Sequence, residues 1–174
     1  VKIKMTLSPD SIDAAIKKLE DYQKKLENVA VEIAKRLADL GYTVAFDIMA
    51  GHIYSGETIT SLQVEQVGEN KFVLKAGSPA LLFFEFGAGT RGSGHPLDGK
   101  FGMGPGTYPG QTHAFDPKGW WFPTDDANLA IRTDKNGQMW AHSYGNPPYK
   151  PFYTASQRMK ADLLKVAKEV MQDY

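Results

Sequence analysis

Cysteine is absent, which excludes a disulfide scaffold, a thiolate zinc site and a cysteine nucleophile. Net charge is absent as well: twenty Lys and Arg balance twenty Asp and Glu. Proteins dedicated to nucleic acid usually carry a basic surplus, so no sequence-specific nucleic-acid partner is expected. No apolar run reaches the ~18 residues of a membrane-spanning helix, so no membrane partner is expected either. Residues 1–6 interleave lysine with apolar residues and lack a signal core, which points to synthesis in a cytoplasm. What is there has the composition of a folded domain: 42% hydrophobic and 23% charged residues. At 174 residues the chain is long enough to bury a core without staples and is expected to fold as a single domain, 1–174.

Residues 8–41 read as one long helix. Ser8 can cap it, Pro9 suits the first helical position, and Asp10 and Asp13 place negative charge at the positive end of the dipole. Ile12, Leu19, Leu26, Ile33 and Leu40 recur at seven-residue intervals, and Ile16, Ala30 and Leu37 fill positions four further on. Gln23 is the polar exception, and Gly41 is the expected stop. A helix laid across a sheet would show such a stripe, and so would one that packs partly on another subunit.

Residues 42–86 switch to period two and are expected to be strands. Val44, Phe46 and Ile48 alternate first, although 43–50 could instead extend the helix. Leu62, Val64 and Gln66 alternate next, then Phe72, Leu74 and Ala76 after a turn at 68–70. Residues 81–86, Leu-Leu-Phe-Phe-Glu-Phe, suit a strand covered on both faces.

Residues 87–119 hold ten of the seventeen glycines and four of the ten prolines, so a long loop is expected there. Short strands follow within 120–146, around Trp120 to Phe122 and Gln138 to His142. A proline-rich lead-in at 147–151 opens a closing helix over 151–172, with Phe152, Ala155, Met159, Leu163, Val166 and Val170 on one face. The expected fold is α+β: a small, mostly antiparallel sheet with the N- and C-terminal helices packed on it, plus a long glycine-rich loop.

Few residues carry a chemical signature. Residues 87–92 match Gly-x-Gly-x-x-Gly, but no helix can open at the third glycine and no βαβ unit surrounds it, so no nucleotide cofactor is expected. His52, His95, His113 and His142 lie far apart and read as surface or loop residues, so no metal is expected. No serine sits in a nucleophile elbow. Glu85, inside an apolar run, must be paired or solvated. It could act as a general acid, but no second carboxylate is singled out. The structural alternative is that it accepts N–H bonds from the following turn or pairs with a cation of a neighbouring subunit. Three function classes remain: an assembly protein, a glycoside-type hydrolase with Glu85 as acid, and a carbohydrate- or peptide-binding module using Trp120, Trp121 and Trp140.

The chain resembles the tail-completion family of long-tailed bacteriophages, also described as tail-component or minor capsid proteins. The long amphipathic helix closing at Leu40-Gly41 and the strand pair within 61–76 contribute to the likeness. Its most specific element is Leu82-Phe83-Phe84-Glu85-Phe86-Gly87-Ala88-Gly89-Thr90, similar to the family's hydrophobic-Glu-Phe-Gly-Thr-Gly signature, with Ala88 in place of the usual Thr. Lys150-Pro151-Phe152-Tyr153-Thr154-Ala155 is similar to the start of the family's closing helix. The resemblance implies a non-enzymatic virion component at the neck or head-proximal end of the tail, without catalytic residues or cofactor. It implies a role in tail completion or head–tail joining, with other neck and tail proteins as partners. It also implies a homo-oligomeric ring in the virion, from a chain that can stay monomeric until it docks. Glu85, Phe86, Gly87, Gly89, Pro151, Phe152 and Ala155 are then signature residues. Phe101, Tyr108 and Phe115, aromatic residues in the glycine-rich loop, are the candidate interface. Residues 92–110 are expected to be the most mobile, and their deletion to leave the thermal midpoint nearly unchanged.

Overall fold

The computed structural model describes residues 2–52, 57–78, 80–103 and 115–173. They are arranged as an α+β fold, with long N- and C-terminal helices and small antiparallel sheets. The chain groups into two compact units. One comprises residues 1–43, 63–75 and 155–174, and the other residues 44–62 and 76–154.

Helix α1 spans Pro9–Ala50, nine residues beyond the expected stop at Gly41. Helix propagation costs little once the nucleus exists, and a single glycine costs only about 1 kcal/mol. Gly41 has another use. A Cβ there would lie 2.8 Å from the Met159 sulfur, so the glycine lets the closing helix approach. Residues 44–50, expected as a strand, are helical because the buried positions are Ala45 and Met49, an i, i+4 pair. Phe46, which a two-residue period would bury, is 36% exposed.

In the first unit, Val29 of α1 is buried with Val166 and Val170 of the closing helix, and Ile33 and Leu37 pack against them. Arg36 ties the same faces together, 2.7 Å from Glu32 and 3.1 Å from Asp173. The hairpin of β1 (Gln63–Gly68) and β2 (Lys71–Lys75) matches the expected strand pair, with Val64 opposite Leu74 and an ion pair between Glu65 and Lys75.

The second unit holds short elements. After α2 (Glu57–Thr60), the run expected to be a buried strand forms helix α3 (Leu81–Phe86). A short continuous apolar run fits either structure, because it has no period to distinguish them. Gly87 ends α3: its N–H meets the Phe83 carbonyl at 3.0 Å and its φ is 81°. Strand β3 (Ala88–Gly89) and helix α4 (Asp98–Phe101) fall inside the segment expected to be a loop. Strands β4 (Trp120–Pro123), β5 (Arg132–Thr133) and β6 (Met139–Ser143) make an antiparallel sheet in the order β4-β6-β5. Strand β7 (Gly145–Asn146) pairs with β3, and helix α5 (Pro151–Asp173) closes the chain. The expected single sheet is therefore three small ones among the described residues.

Candidate functional site

Helix α5 starts without a capping side chain of its own, since Lys150 precedes Pro151. A helix N-terminus leaves four N–H groups without intrahelical partners. Here each is accounted for. Pro151 has none. Phe152 donates to Glu85 Oε2 at 2.8 Å, Tyr153 donates to Glu85 Oε1 at 2.9 Å, and the Lys150 N–H approaches the Phe84 carbonyl at 3.4 Å, while Thr154 makes the first intrahelical bond, to the Lys150 carbonyl at 2.9 Å. The cap comes from a residue 67 positions earlier. Its negative charge also lies at the positive end of the α5 dipole.

The debt runs the other way too. At the end of α3 the Gly87 N–H returns to the Phe83 carbonyl, and the lead-in to α5 supplies further donors to the last-turn carbonyls. Tyr149 donates its N–H to Phe84 O at 2.9 Å, and Asn146 Nδ2 donates to Phe83 O at 2.7 Å. Lys150 is the only described non-glycine residue with positive φ, 60°, a conformation that costs roughly 1–2 kcal/mol. The bonds on either side of it hold it there.

His95 completes the junction. Its Nε2 lies 3.0 Å from Glu85 Oε1. Its Nδ1 accepts the Leu97 N–H at 3.1 Å, which leaves Nε2 to donate to the carboxylate. The ring lies between Phe86, at 4.4 Å, and Tyr153, at 5.4 Å. His95 is 4% exposed. It is neither the surface residue nor the mobile-loop residue that the sequence suggests. Within 92–110, Gly92 packs against Ala88, and His95, Leu97 and Asp98 are hydrogen-bonded at this junction. Residues 104–110 lie outside the described residues.

Glu85 is thus paired, as burial requires, but with donors other than the following turn that sequence suggested. The three groups bonded to it are all donors, and its side chain is only 10% exposed. Among the described residues no cluster of three His, Asp or Glu could hold a metal ion. The geometry is that of a buried clasp between two chain segments.

No family model, curated protein or solved structure matches this chain. The site must be read from its own geometry.

Of the residues that carry the resemblance, Glu85 and Phe152 meet directly, and the Phe86 ring packs at a tilt against the histidine that binds Glu85. Gly87 provides the left-handed turn out of α3, and Gly89 pairs with Gly145 in the β3–β7 ladder. Pro151 and Ala155 are buried at the start of α5. The candidate interface residues are not part of this junction: Phe101 is 54% exposed on α4 and Phe115 is 77% exposed ahead of β4. Tyr108 and His113 lie outside the described residues.

The tryptophans lie on strands β4 and β6, Trp121 exposed and Trp120 and Trp140 half-buried. Trp121 stands opposite His142, and Arg132 covers its ring at 3.9 Å. Trp140 donates through Nε1 to Asp134 at 3.3 Å. Asp134 also accepts N–H bonds from Asn136 and Gln138, and the Asn136 bond is the main reason its carboxyl titrates below the ordinary aspartate range. Sequence reasoning missed His95, Asn146 and Tyr149. Asn146 before two prolines was a signal of an ordered turn; His95, between glycine and proline, offered none.

Proposed function

We propose that this chain is a structural assembly protein of a long-tailed bacteriophage, acting at the neck or head-proximal end of the tail to complete or join it. One observation carries the reading. The two most specific motifs of the resemblance, around Glu85-Phe86-Gly87 and Pro151-Phe152, are far apart in sequence and engage each other through the Glu85 carboxylate. A motif pair that builds a buried clasp serves a scaffold whose contacts must keep a fixed shape. Glu85 is occupied as a capping group, which favours this role over that of a general acid. The exposed Phe101 and Phe115 offer apolar surface for neighbouring neck and tail proteins. In the virion the protein acts as a homo-oligomer.

The test is genetic and visual. A nonsense codon in the reading frame of this chain, in the phage or prophage that carries it, should yield filled heads and separate tails by electron microscopy. Supplying the chain from a plasmid should restore joined particles, with the protein found at the neck. Infectious, morphologically normal particles made without the chain would overturn the assignment.

A further inference from the structure

Asp98, the first residue of α4, uses only one of its two oxygens. Its Oδ2 accepts the His95 N–H at 3.2 Å, while its Oδ1 is buried without a hydrogen-bond partner among the described residues. A buried carboxylate oxygen without a donor is costly. Oδ1 lies 3.9 Å from His95 Nδ1, too far for a hydrogen bond but within reach of a small side-chain rotation.

The ring has one position at which it can take a second proton. Nε2–H is held by Glu85, and the Nδ1 lone pair accepts the Leu97 N–H. A proton added at Nδ1 turns that acceptor into a donor. The Leu97 N–H is then opposed by another N–H and must leave, and Asp98 Oδ1 is the acceptor that the new N–H requires. The surroundings suit a charged ring. The titratable groups that face it are Glu85 from α3, Asp98 from α4 and Tyr153 from α5, and none of them is a cation. Among the described residues neither carboxylate pairs with a lysine or an arginine, so the imidazolium is the counter-charge that both lack.

Leu97 and Asp98 also carry α4. Phe101 donates its N–H to the Leu97 carbonyl at 3.1 Å, and Met103 donates to the Asp98 carbonyl at 3.0 Å. A shift at 97–98 is therefore passed to the exposed Phe101.

We propose that this junction is a proton-operated latch: a second proton on His95, at Nδ1, exchanges the Leu97 N–H for the Asp98 carboxylate and resets the start of α4. The inference rests on the junction geometry and does not depend on the virion reading.

Nuclear magnetic resonance of the full-length protein, labelled with nitrogen-15 and followed from about pH 8 to about pH 5, tests it. At the basic end, His95 should show a protonated Nε2 and a bare Nδ1. As the second proton binds, the Leu97 amide signal should move in step with the ring and the Phe101 amide should follow. A slowly exchanging Nδ1–H signal should appear, because the ring is buried and the new N–H is bonded. The Val29 amide, in the other unit, should stay in place. Asp98→Ala removes the acceptor and should lose the slowly exchanging Nδ1–H signal. A Leu97 amide that stays fixed while the ring takes its second proton overturns the proposal, and so does a ring that keeps one proton until the protein unfolds. Both outcomes are read on the parent protein, so the test stands even if Asp98→Ala does not fold. A folded Asp98→Ala protein that retains the slowly exchanging signal also overturns it.

Discussion

Replacing Glu85 by glutamine changes one oxygen to an NH2 group and leaves shape almost intact. The structure makes this a severe change. Phe152 donates to one carboxylate oxygen at 2.8 Å, and Tyr153 and His95 donate to the other at 2.9 and 3.0 Å. With the amide nitrogen in the first position, two donors face each other at Phe152. With it in the second, it faces both Tyr153 and His95. His95 cannot resolve this by moving its proton, because its Nδ1 would then present a hydrogen to the Leu97 N–H. At least one charge-assisted bond is lost, worth roughly 1.5–3 kcal/mol, and a buried donor is left unpaired at a further cost of about 1–3 kcal/mol. We expect Glu85→Gln to destabilise by about 3 kcal/mol. Urea unfolding followed by tryptophan fluorescence is a suitable assay, since Trp120, Trp121 and Trp140 all belong to the unit that contains Glu85. The corresponding fall in Tm is roughly 6–12 °C, at about 2–4 °C per kcal/mol for a chain of this size. Combining the change with His95→Phe should cost less than the sum of the two, because the second removes one of the conflicting donors. A Glu85→Gln protein within about 0.5 kcal/mol of the parent would refute the clasp and reopen the reading of Glu85 as an acid.

Gly87→Ala should destabilise by more than about 3 kcal/mol, because φ 81°, ψ 177° is nearly closed to alanine and the new Cβ would meet backbone at Gly92, Asn146 and Pro148 within 2.7–2.9 Å. Gly94→Ala, with positive φ but open space, should cost only about 1–2 kcal/mol in the same urea titration. Carboxyl NMR should place the Asp134 titration below that of an ordinary aspartate. Its folded value is the depressed one, so its stabilisation is present above the unfolded value and is lost as pH falls through the folded one; Asp134→Asn should remove that part of the acid-side loss. Arg36→Ala should change stability by less than about 1 kcal/mol despite two ion pairs, because the side chain is 40% exposed, and a larger loss would show that its stem packs in the helix interface.

Long-period signals were legible and short ones were not. The stripe from Ile12 to Leu40 and the apolar face from Phe152 to Val170 extend over many turns, and both became helices. Alternation over Val64 and Leu74 held because a turn joins two matching runs. Three alternating residues at Val44, Phe46 and Ile48 could not outweigh a helix already propagating through them. The run at 81–86 had no period at all. Its helical state follows from what receives its carbonyls, namely Asn146 and Tyr149, about 60 residues downstream. No local pattern contains that information.

Glu85 stands out in the sequence, but its partners do not. A carboxylate in an apolar run announces that a partner exists, because unpaired burial is too costly. It does not say where the partner lies. Nearby donors, such as the following turn, are the natural first guess. The better donors are the Phe152 and Tyr153 N–H groups at the α5 start, where Lys150 and Pro151 offer no acceptor side chain. Lys150 and Pro151 make α5 a helix that lacks a cap, and Glu85 makes α3 a helix that carries a cap it cannot use itself. Each segment read alone looks deficient. Read as a pair, the missing cap and the surplus carboxylate account for each other, and this complementarity ties the two segments to one physical purpose.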